Sequence, residues 1–215
     1  MKVVLTDYAY DTLQPFSDVY QAAGVEFIPL QCKSKQEVLQ ATEYADGVMT
    51  HYAHIDREVI DNLKNCKIII RSAVGVENID VEAANQRGIS VANVPDYCIE
   101  EVSDYVILLL LASAKKFCVL ERMVQRGEWD YAITKPSDTI HGKTLGLVGC
   151  GNIARAVARK AKVFDMDIIG CDPGVTEQEV AKYGIHLLPQ EKVLQDSDFL
   201  SLHAPLNRYT KHMIN

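Results

Sequence analysis

TLGLVGCGNIARAVARKAKVFDMDIIGCDP, residues 144–173, is the stretch that decides how this chain folds. A short apolar run leads into a glycine-rich turn, a helical pattern follows to about Phe164, and a second apolar run ends on Asp172. This order predicts a βαβ unit whose first turn carries a dinucleotide fingerprint.

Each small residue of that turn meets a physical demand. Gly149 allows the tight turn, Gly151 leaves room for pyrophosphate beside the backbone, and Ala154 keeps the helix close to the strand. The helix start offers unpaired N–H groups to phosphate. Asp172 follows Gly149 by 23 residues. At this spacing a carboxylate can accept hydrogen bonds from the ribose hydroxyls of the adenosine and would repel a 2′-phosphate. The pattern favours NAD over NADP; the alternative is a tight turn without a ligand.

Composition restricts the class of protein. The 215 residues are 48% hydrophobic, and the net charge of −7 argues against a nucleic-acid or anionic membrane partner. The longest apolar run, residues 106–112, is too short to span a bilayer. Because the chain opens on a strand pattern instead of a signal peptide, we expect a cytoplasmic protein. The six cysteines form no CxxC pair, which favours reduced thiols.

One local cluster resembles a set of metal ligands. His51 and His54 are followed by Asp56, but no further soft ligand lies nearby in the sequence. We therefore expect an ordinary loop there and no metal site.

The first part of the chain alternates short apolar runs with helical patterns. Five predicted strands lie at residues 2–6, 25–30, 47–50, 67–72 and 89–93. Such alternation predicts a parallel sheet covered on both faces, so this part is a doubly wound, flavodoxin-like domain. The turn after its first strand has no glycine, which argues against a dinucleotide there.

Two loops follow predicted strands of this sheet, at the edge where ligands gather in open α/β folds. Residues 51–54 form one loop. Residues 72–76 form the other, and their small side chains would let backbone N–H groups surround an anion such as a carboxylate. A plain strand-exit turn explains residues 72–76 equally well.

A long helical pattern at residues 99–126 follows and predicts a single helix. We place the boundary between two α/β domains at its start, which gives a domain at 1–98 and a second at 99–215. Beyond Asp172, further strands are predicted at residues 185–188 and 199–203. The second domain then has four predicted strands where a dinucleotide fold usually has six, so we expect a Rossmann domain incomplete at its C-terminus.

Motifs along the whole chain are similar to those of the D-2-hydroxyacid dehydrogenase family, in the branch of phosphoglycerate dehydrogenase and the C-terminal-binding proteins. They are RSAVGVENID at 71–80, NVPDYCIEEV at 93–102, GCGNI at 149–153, CDP at 171–173, LHAPL at 202–206 and TKHMI at 210–214. The resemblance implies NAD-dependent hydride transfer to or from a small 2-hydroxy or 2-oxo acid, with a substrate domain at 1–98 and an NAD-binding domain at 99–215.

The resemblance also implies roles for particular residues. Val74 and Gly75 would bind the substrate carboxylate through backbone N–H groups, and Val74 would also line the nicotinamide. The implied cofactor residues are Val74, Gly149, Gly151, Asn152, Ile153, Asp172, Ala204, Asn207 and Thr210. The sequence departs from the family pattern at Ala73 and Ala154, where glycine is usual, and at Asn152, where arginine is usual.

The catalytic residues of the family find no counterpart in this sequence. An arginine that clamps the substrate and a glutamate-supported histidine are expected beyond Asn215, so we assign no catalytic residue and expect the 215 residues to be inactive alone. His203 belongs to the LHAPL motif and is interpreted as structural. His51 and Tyr52 are candidates for shaping substrate specificity.

Two other functions stay open. One is an NAD(H)-sensing interaction module like the related corepressors, and the other is a degraded enzyme that binds nothing. The resemblance further implies a homodimer built through the long helix and the cofactor domain.

Overall fold

Two parallel β-sheets organise the chain in the computed structural model, which describes residues 1–135, 139–207 and 209–214. The sheets belong to two compact units, Met1–Tyr97 and Cys98–Asn215, which we call the first and the second unit. The predicted α/β class with parallel sheets is confirmed.

The first unit holds a five-stranded sheet and four helices. Its strands are β1 (Lys2–Leu5), β2 (Glu26–Pro29), β3 (Gly47–Thr50), β4 (Ile68–Arg71) and β5 (Ser90–Ala92), and its helices are α1 (Gln14–Ala22), α2 (Lys35–Thr42), α3 (Arg57–Asn62) and α4 (Val81–Gln86). The strand order is β2-β1-β3-β4-β5, the flavodoxin-like order. The carboxyl ends of β1, β3 and β4 therefore meet at the centre of one edge.

The register of the central strands brings apolar side chains together in the core of the first unit. Val48 pairs with Val4 on one side and with Ile69 on the other, and all three are buried. Helices α3 and α4 begin at Asp56 and Asp80, whose carboxylates accept the N–H of the third residue of each helix. The caps and the apolar strands together fix where each loop leaves the sheet.

The second unit holds a four-stranded sheet within the described residues. Its strands are β6 (Thr144–Val148), β7 (Asp167–Cys171), β8 (Ile185–Leu187) and β9 (Phe199–Leu202), and its α-helices are α5 (Ile99–Ala114), α6 (Phe117–Gln125), α7 (Asn152–Ala161), α8 (Glu177–Ala181) and α9 (Gln190–Asp196). The order β8-β7-β6-β9 corresponds to strands 3-2-1-4 of a dinucleotide-binding sheet. All four strands are parallel, and the point at which the strand order reverses lies between β6 and β9.

The single helix predicted at residues 99–126 is wrong. The chain breaks between α5 and α6, where Lys116 has a left-handed φ of 51°. Lys115 and Lys116 donate their N–H groups to Leu111 and Ser113 and so close the end of α5. No glycine or proline marks this position, and a left-handed lysine is unfavourable by about 1–2 kcal/mol. The sequence pattern therefore gave no reason to end the predicted helix there.

Helix α5 fixes the position of α7. The Lys160 ammonium of α7 bonds the Glu100 carbonyl oxygen at 3.0 Å and the buried Ser103 hydroxyl at 2.7 Å, both on α5. Below this contact, alanines of α7 are fully buried at Ala154, Ala158 and Ala161. Small side chains let α7 lie close to the sheet, which aims its N-terminus at the turn after β6.

Candidate cofactor and substrate sites

Gly149 forms the turn between β6 and α7. Its φ is +90°, and its N–H donates to the Cys171 carbonyl at 2.9 Å. A Cβ placed there would lie 2.7 Å from the Ala204 nitrogen and 2.8 Å from the His203 carbonyl carbon. The absence of a side chain therefore lets the chain after β9 press against the turn, and it brings Ala204 to the site.

Gly151 stands at the start of α7 and has a different surrounding. Its φ of −73° suits any residue, and a Cβ there would meet no atom within 4 Å. No side chain caps the helix, so the N–H groups of Asn152, Ile153 and Ala154 have no acceptor among the described residues. Open space beside unpaired donors at the positive end of a helix fits a phosphate group.

Asp172 ends β7 and is tied to the glycine turn. One carboxylate oxygen accepts the Cys150 N–H at 2.8 Å, and the other accepts the Gly174 N–H at 2.8 Å. A carboxylate offers about four acceptor positions, so each oxygen retains capacity for a ribose hydroxyl. The spacing in the sequence predicted the carboxylate, but it carried no sign of the bond to Cys150.

Cys150, in the middle of the turn, has no reactive thiol. Its side chain is fully buried, and burial, followed by the charges of Asp172 and Cys171, raises the pKa of the thiol to about 12. A Cβ on Gly170 would lie 2.6 Å from the Cys150 sulfur, so the two positions fit each other in the core under the turn. Cys150 acts as a small hydrophobic residue here.

The chain after β9 carries the remaining predicted cofactor residues. The Asn207 N–H donates to the Thr210 hydroxyl oxygen at 2.8 Å, the Asn207 amide oxygen accepts the Thr210 N–H at 3.2 Å, and the Thr210 hydroxyl donates to the Pro205 carbonyl at 2.5 Å. These bonds close a small loop, so the first task of Asn207 and Thr210 is to shape it. Arg208, inside this loop, lies outside the described residues.

His203 precedes that loop. Its N–H donates to the Val148 carbonyl at 2.7 Å, and its ring Nε2 lies 3.0 Å from the Ser201 hydroxyl oxygen. Burial lowers the pKa of the imidazole, which keeps the ring neutral at pH 7. Both contacts join His203 to β6 and β9, which agrees with its interpretation as a structural residue.

In the first unit, the loop of residues 72–76 follows β4. Asn93 donates its side-chain N–H to the Val74 carbonyl at 2.6 Å, and the Val94 N–H donates to the Ala73 carbonyl at 3.1 Å. The N–H groups of Val74, Gly75 and Val76 have no acceptor among the described residues. The loop therefore uses its carbonyl groups in hydrogen bonds and leaves its N–H groups available. This arrangement favours an anion site over a plain turn.

An ion pair borders this loop. Arg71 and Glu77 lie 2.6 Å apart, and the hydrogen bond from Arg71 lowers the pKa of the Glu77 carboxyl. A Cβ on Gly75 would be 3.2 Å from the Arg71 guanidinium and would collide with the Glu77 carboxylate. Gly75 therefore leaves the pair room to form across the loop.

Asp7 is a buried carboxylate that the sequence analysis did not single out. It is 8% exposed and accepts the N–H groups of His51 at 3.2 Å, Tyr52 at 2.6 Å and Ala53 at 3.1 Å. Burial alone would raise its pKa, but these bonds and one from the Thr6 hydroxyl outweigh it and lower the pKa. Asp7 thus holds the loop after β3 against the end of β1.

Replacing Asp7 by Asn is expected to lower the free energy of unfolding by about 2 kcal/mol at pH 7. The amide would point an N–H group at the N–H of Tyr52 or of Ala53. Because folding lowers the pKa of Asp7, its contribution is complete above the unfolded pKa near 3.8 and is lost as pH falls through the folded value. Urea titrations from pH 7 to about 3 should show the difference from wild type shrinking.

The matched control is Asp11→Asn, which removes an exposed carboxylate of the same loop. We expect it to change the unfolding free energy by less than about 0.5 kcal/mol. A loss as large as that of Asp7→Asn would show that charge, and not the bonds to the loop, is responsible.

His51 follows β3 and faces Ser72 and Tyr10. Its Nδ1 lies 3.1 Å from the Ser72 hydroxyl oxygen and 3.3 Å from the Tyr10 hydroxyl oxygen. Tyr52 is 65% exposed and meets the His51 ring edge-on, with centroids 4.2 Å apart. Tyr10 was not predicted as a site residue, and Ser72 was predicted only as part of the loop at residues 72–76, because each is 21 or more residues from His51 in the sequence.

The described residues contain neither a cluster of metal ligands nor a membrane-spanning helix. No three His, Cys, Asp or Glu side chains in residues 1–135, 139–207 and 209–214 are grouped to hold a metal ion. Across the same residues, no helix has the length and apolar character needed to cross a bilayer.

Comparison with known proteins adds a family. Residues 107–215 match the family described as D-isomer specific 2-hydroxyacid dehydrogenase, NAD binding domain. The whole chain is 34% identical over 220 aligned residues to a D-3-phosphoglycerate dehydrogenase of Methanocaldococcus jannaschii, and 84% of it is 37% identical to a glyoxylate reductase of Korarchaeum cryptofilum. The chain spans 40% and 56% of the lengths of these two relatives.

Solved structures agree with the fold. The chain superimposes on a glyoxylate reductase from Paecilomyes thermophila with a TM-score of 0.90 and 25% identity, covering 100% of this chain and 68% of that one. A D-lactate dehydrogenase from Aquifex aeolicus, solved with NAD and lactic acid, gives a TM-score of 0.88 at 23% identity, with 99% and 63% covered. The predicted α/β fold with parallel sheets of Rossmann type is thereby confirmed.

Proposed function

The chain belongs to the D-isomer specific 2-hydroxyacid dehydrogenase family, and we propose that it binds NAD and a small acid for hydride transfer between NAD and a 2-hydroxy or 2-oxo acid. The start of α7 carries the proposal, because three N–H groups without an acceptor in the described part of the chain lie beside the open space at Gly151. Family membership makes NAD the cofactor for which such a turn is built, since residues 107–215 match its NAD-binding domain.

The residues proposed for the cofactor bind different parts of NAD. Asn152 and Ile153 hold the pyrophosphate through backbone N–H groups, and Asp172 accepts the hydroxyls of the adenosine ribose. Ala204 borders the turn, and Asn207 and Thr210 supply the loop after β9. NAD, when bound, supplies the atom that accepts the hydride.

The acid is proposed to bind in the first unit. Its carboxylate accepts the N–H groups of Val74 and Gly75, which have no other acceptor among residues 1–135, 139–207 and 209–214. Arg71 adds positive charge that Glu77 partly neutralises. Asn93 keeps the loop in place by its bond to the Val74 carbonyl. These groups bind and orient the acid, and none of them is a proton donor matched to its carbonyl oxygen.

We propose that the 215 residues alone bind without turnover. At the cofactor turn, the described residues include one histidine, His203, whose contacts are to Val148 and Ser201 within the sheet. A general acid must reach the reacting oxygen, and these contacts leave no such group at the turn. NADH oxidation with a panel of 2-oxo acids at a rate typical of enzymes, above about 1 per second, would contradict this.

Asp172→Asn tests the cofactor site. We expect the preference for NAD over NADP, measured as the ratio of their dissociation constants, to fall by about tenfold or more, because the charge that repels a 2′-phosphate is removed. Titration calorimetry with each nucleotide measures the ratio. Asn can still accept one of the two backbone bonds of Asp172, so the variant should fold.

Asp167→Asn is the matched control, because it removes an exposed carboxylate from the opposite end of the same strand, β7. Its nucleotide preference should equal that of wild type. If both variants behave alike, or if neither nucleotide raises the melting temperature of the wild type, Asp172 does not bind the ribose.

The proposed partner, besides the acid, is a second copy of the chain. On α5, Tyr105, Leu108 and Leu109 are 64%, 56% and 58% exposed. Exposed apolar side chains grouped on one helix are a common feature of association surfaces. They support the homodimer that the resemblance implies.

A further inference from the structure

The orientation of the His51 ring follows from its two hydroxyl neighbours. Nδ1 of His51 is the atom that faces both the Ser72 and the Tyr10 hydroxyls, at 3.1 and 3.3 Å. The Tyr10 ring also meets the imidazole edge-on, with centroids 5.4 Å apart. The other ring nitrogen, Nε2, has no hydrogen-bond partner among the described residues, and His51 is partly exposed.

The hydroxyl hydrogens determine which nitrogen carries the proton. The Ser72 hydroxyl lies 3.3 Å from the Thr50 carbonyl, and the Tyr10 hydroxyl lies 3.2 Å from the Ser72 carbonyl. Carbonyl oxygens only accept, so each hydroxyl gives its single hydrogen to a carbonyl and has lone pairs left for His51.

The count of bonds then favours one tautomer. With a hydrogen on Nδ1, both hydroxyls keep their carbonyl bonds and the ring adds a third bond. With Nδ1 bare, one hydroxyl must turn away from its carbonyl to bond the ring, and one bond is lost. The neutral ring therefore carries its hydrogen on Nδ1, and Nε2 is a bare acceptor.

His51 lies at the same strand edge as the proposed carboxylate site. Ser72, its hydrogen-bond partner, is the first residue of the loop that presents the N–H groups of Val74 and Gly75. The Arg71 guanidinium also donates to the His51 carbonyl at 3.2 Å. Asp7 fixes the backbone of His51 from the other side. The backbone and Nδ1 of His51 are therefore both held by hydrogen bonds, at the edge of the sheet that also carries the proposed anion site.

We propose that Nε2 of His51 accepts a hydrogen bond from a hydroxyl on the third carbon of the substrate, so that the preferred class is the 3-hydroxy-2-oxo acids and the matching 2,3-dihydroxy acids. This inference rests on the proposed function, since it takes the carboxylate to be bound by Val74 and Gly75. A methyl group at the third carbon leaves Nε2 unpaired. A phosphate ester at the third carbon would place negatively charged oxygens, which only accept hydrogen bonds, beside Nε2, which also only accepts, so phosphorylated acids are disfavoured.

The test compares two acids that differ by one hydroxyl. The isotope-labelled full chain is titrated with D-glycerate and with D-lactate, with NADH present so that neither acid can be oxidised, and dissociation constants are taken from amide shifts. Wild type should bind D-glycerate roughly fivefold more tightly, and His51→Phe should bind both about equally. His54→Phe changes an exposed histidine of the same loop and should keep the preference.

Equal binding by wild type, or a preference that survives in His51→Phe, overturns the role of His51 and leaves the proposed function intact. If neither acid shifts the amide signals of Val74 and Gly75, the carboxylate site fails and this inference fails with it. The tautomer gives an independent measurement that needs no variant. Nitrogen-15 spectra of the wild-type ring should show the hydrogen on Nδ1, and a hydrogen on Nε2 overturns the proposal.

Discussion

Gly149→Ala is expected to destabilise the second unit by at least about 3 kcal/mol and to abolish measurable NAD binding. The new Cβ would lie 2.7 Å from the Ala204 nitrogen and 2.8 Å from the His203 carbonyl carbon. Both are backbone atoms of the chain that continues from β9, so they cannot turn aside as a side chain would. The φ of +90° adds strain for any residue with a side chain.

Chemical denaturation, followed by signals from the second unit, measures the loss. The matched control is Gly142→Ala in the same unit, where φ is +67° and a Cβ would meet nothing within 4 Å. It should cost only about 1–2 kcal/mol, the price of the left-handed conformation. Equal losses in the two variants would mean that the close approach of Ala204 contributes nothing.

Gly151→Ser should lower the affinity for NAD by roughly tenfold to a hundredfold without any loss of stability. The φ of Gly151 suits serine, and the new side chain enters open space. There its hydroxyl can accept the N–H of Ile153 or Ala154, as a helix cap does, and so compete with the pyrophosphate. The unfolding free energy should be unchanged or slightly higher, which separates binding from folding.

Titration calorimetry with NAD measures the affinity, and urea denaturation of the same protein preparation measures the stability. Gly151→Ala separates the two causes, since its Cβ takes space but offers no hydroxyl. We expect Ala to weaken NAD less than Ser does and to cost about 0.5–1 kcal/mol of stability, because alanine is a poor helix cap. Wild-type affinity in both variants would remove the start of α7 from the cofactor site.

Local patterns accounted for the elements of the fold because each depends on residues close together in the chain. Gly24 and Gly88, for example, follow α1 and α4 with positive φ, a conformation that makes glycine a local signal for the end of a helix. The apolar runs became strands within one or two residues of their predicted bounds. At residues 99–126 the same reasoning was wrong, since the chain breaks at Lys116 without a glycine or proline to mark the position.

Contacts within the candidate sites depend on partners far apart in sequence. Asp7 bonds a loop more than 40 residues away, and Asn93 bonds Val74 across 19 residues. These pairs exist because β1, β3, β4 and β5 lie side by side in a particular register. A sequence pattern shows that strands are present but does not state which atoms their ends bring together.

The sequence by itself determined the α/β class and the turn where Gly149, Gly151 and Asp172 stand, because apolar periodicity and glycine spacing act over a few residues or one βαβ unit. The family was indicated by the resemblance of its motifs. The tertiary structure alone decided that Asp172 bonds the turn it faces, that Asp7 holds the loop after β3, and that Nδ1 of His51 faces the Ser72 and Tyr10 hydroxyls. Hydrogen bonds are directional and short, so they follow from three-dimensional placement and not from spacing along the chain.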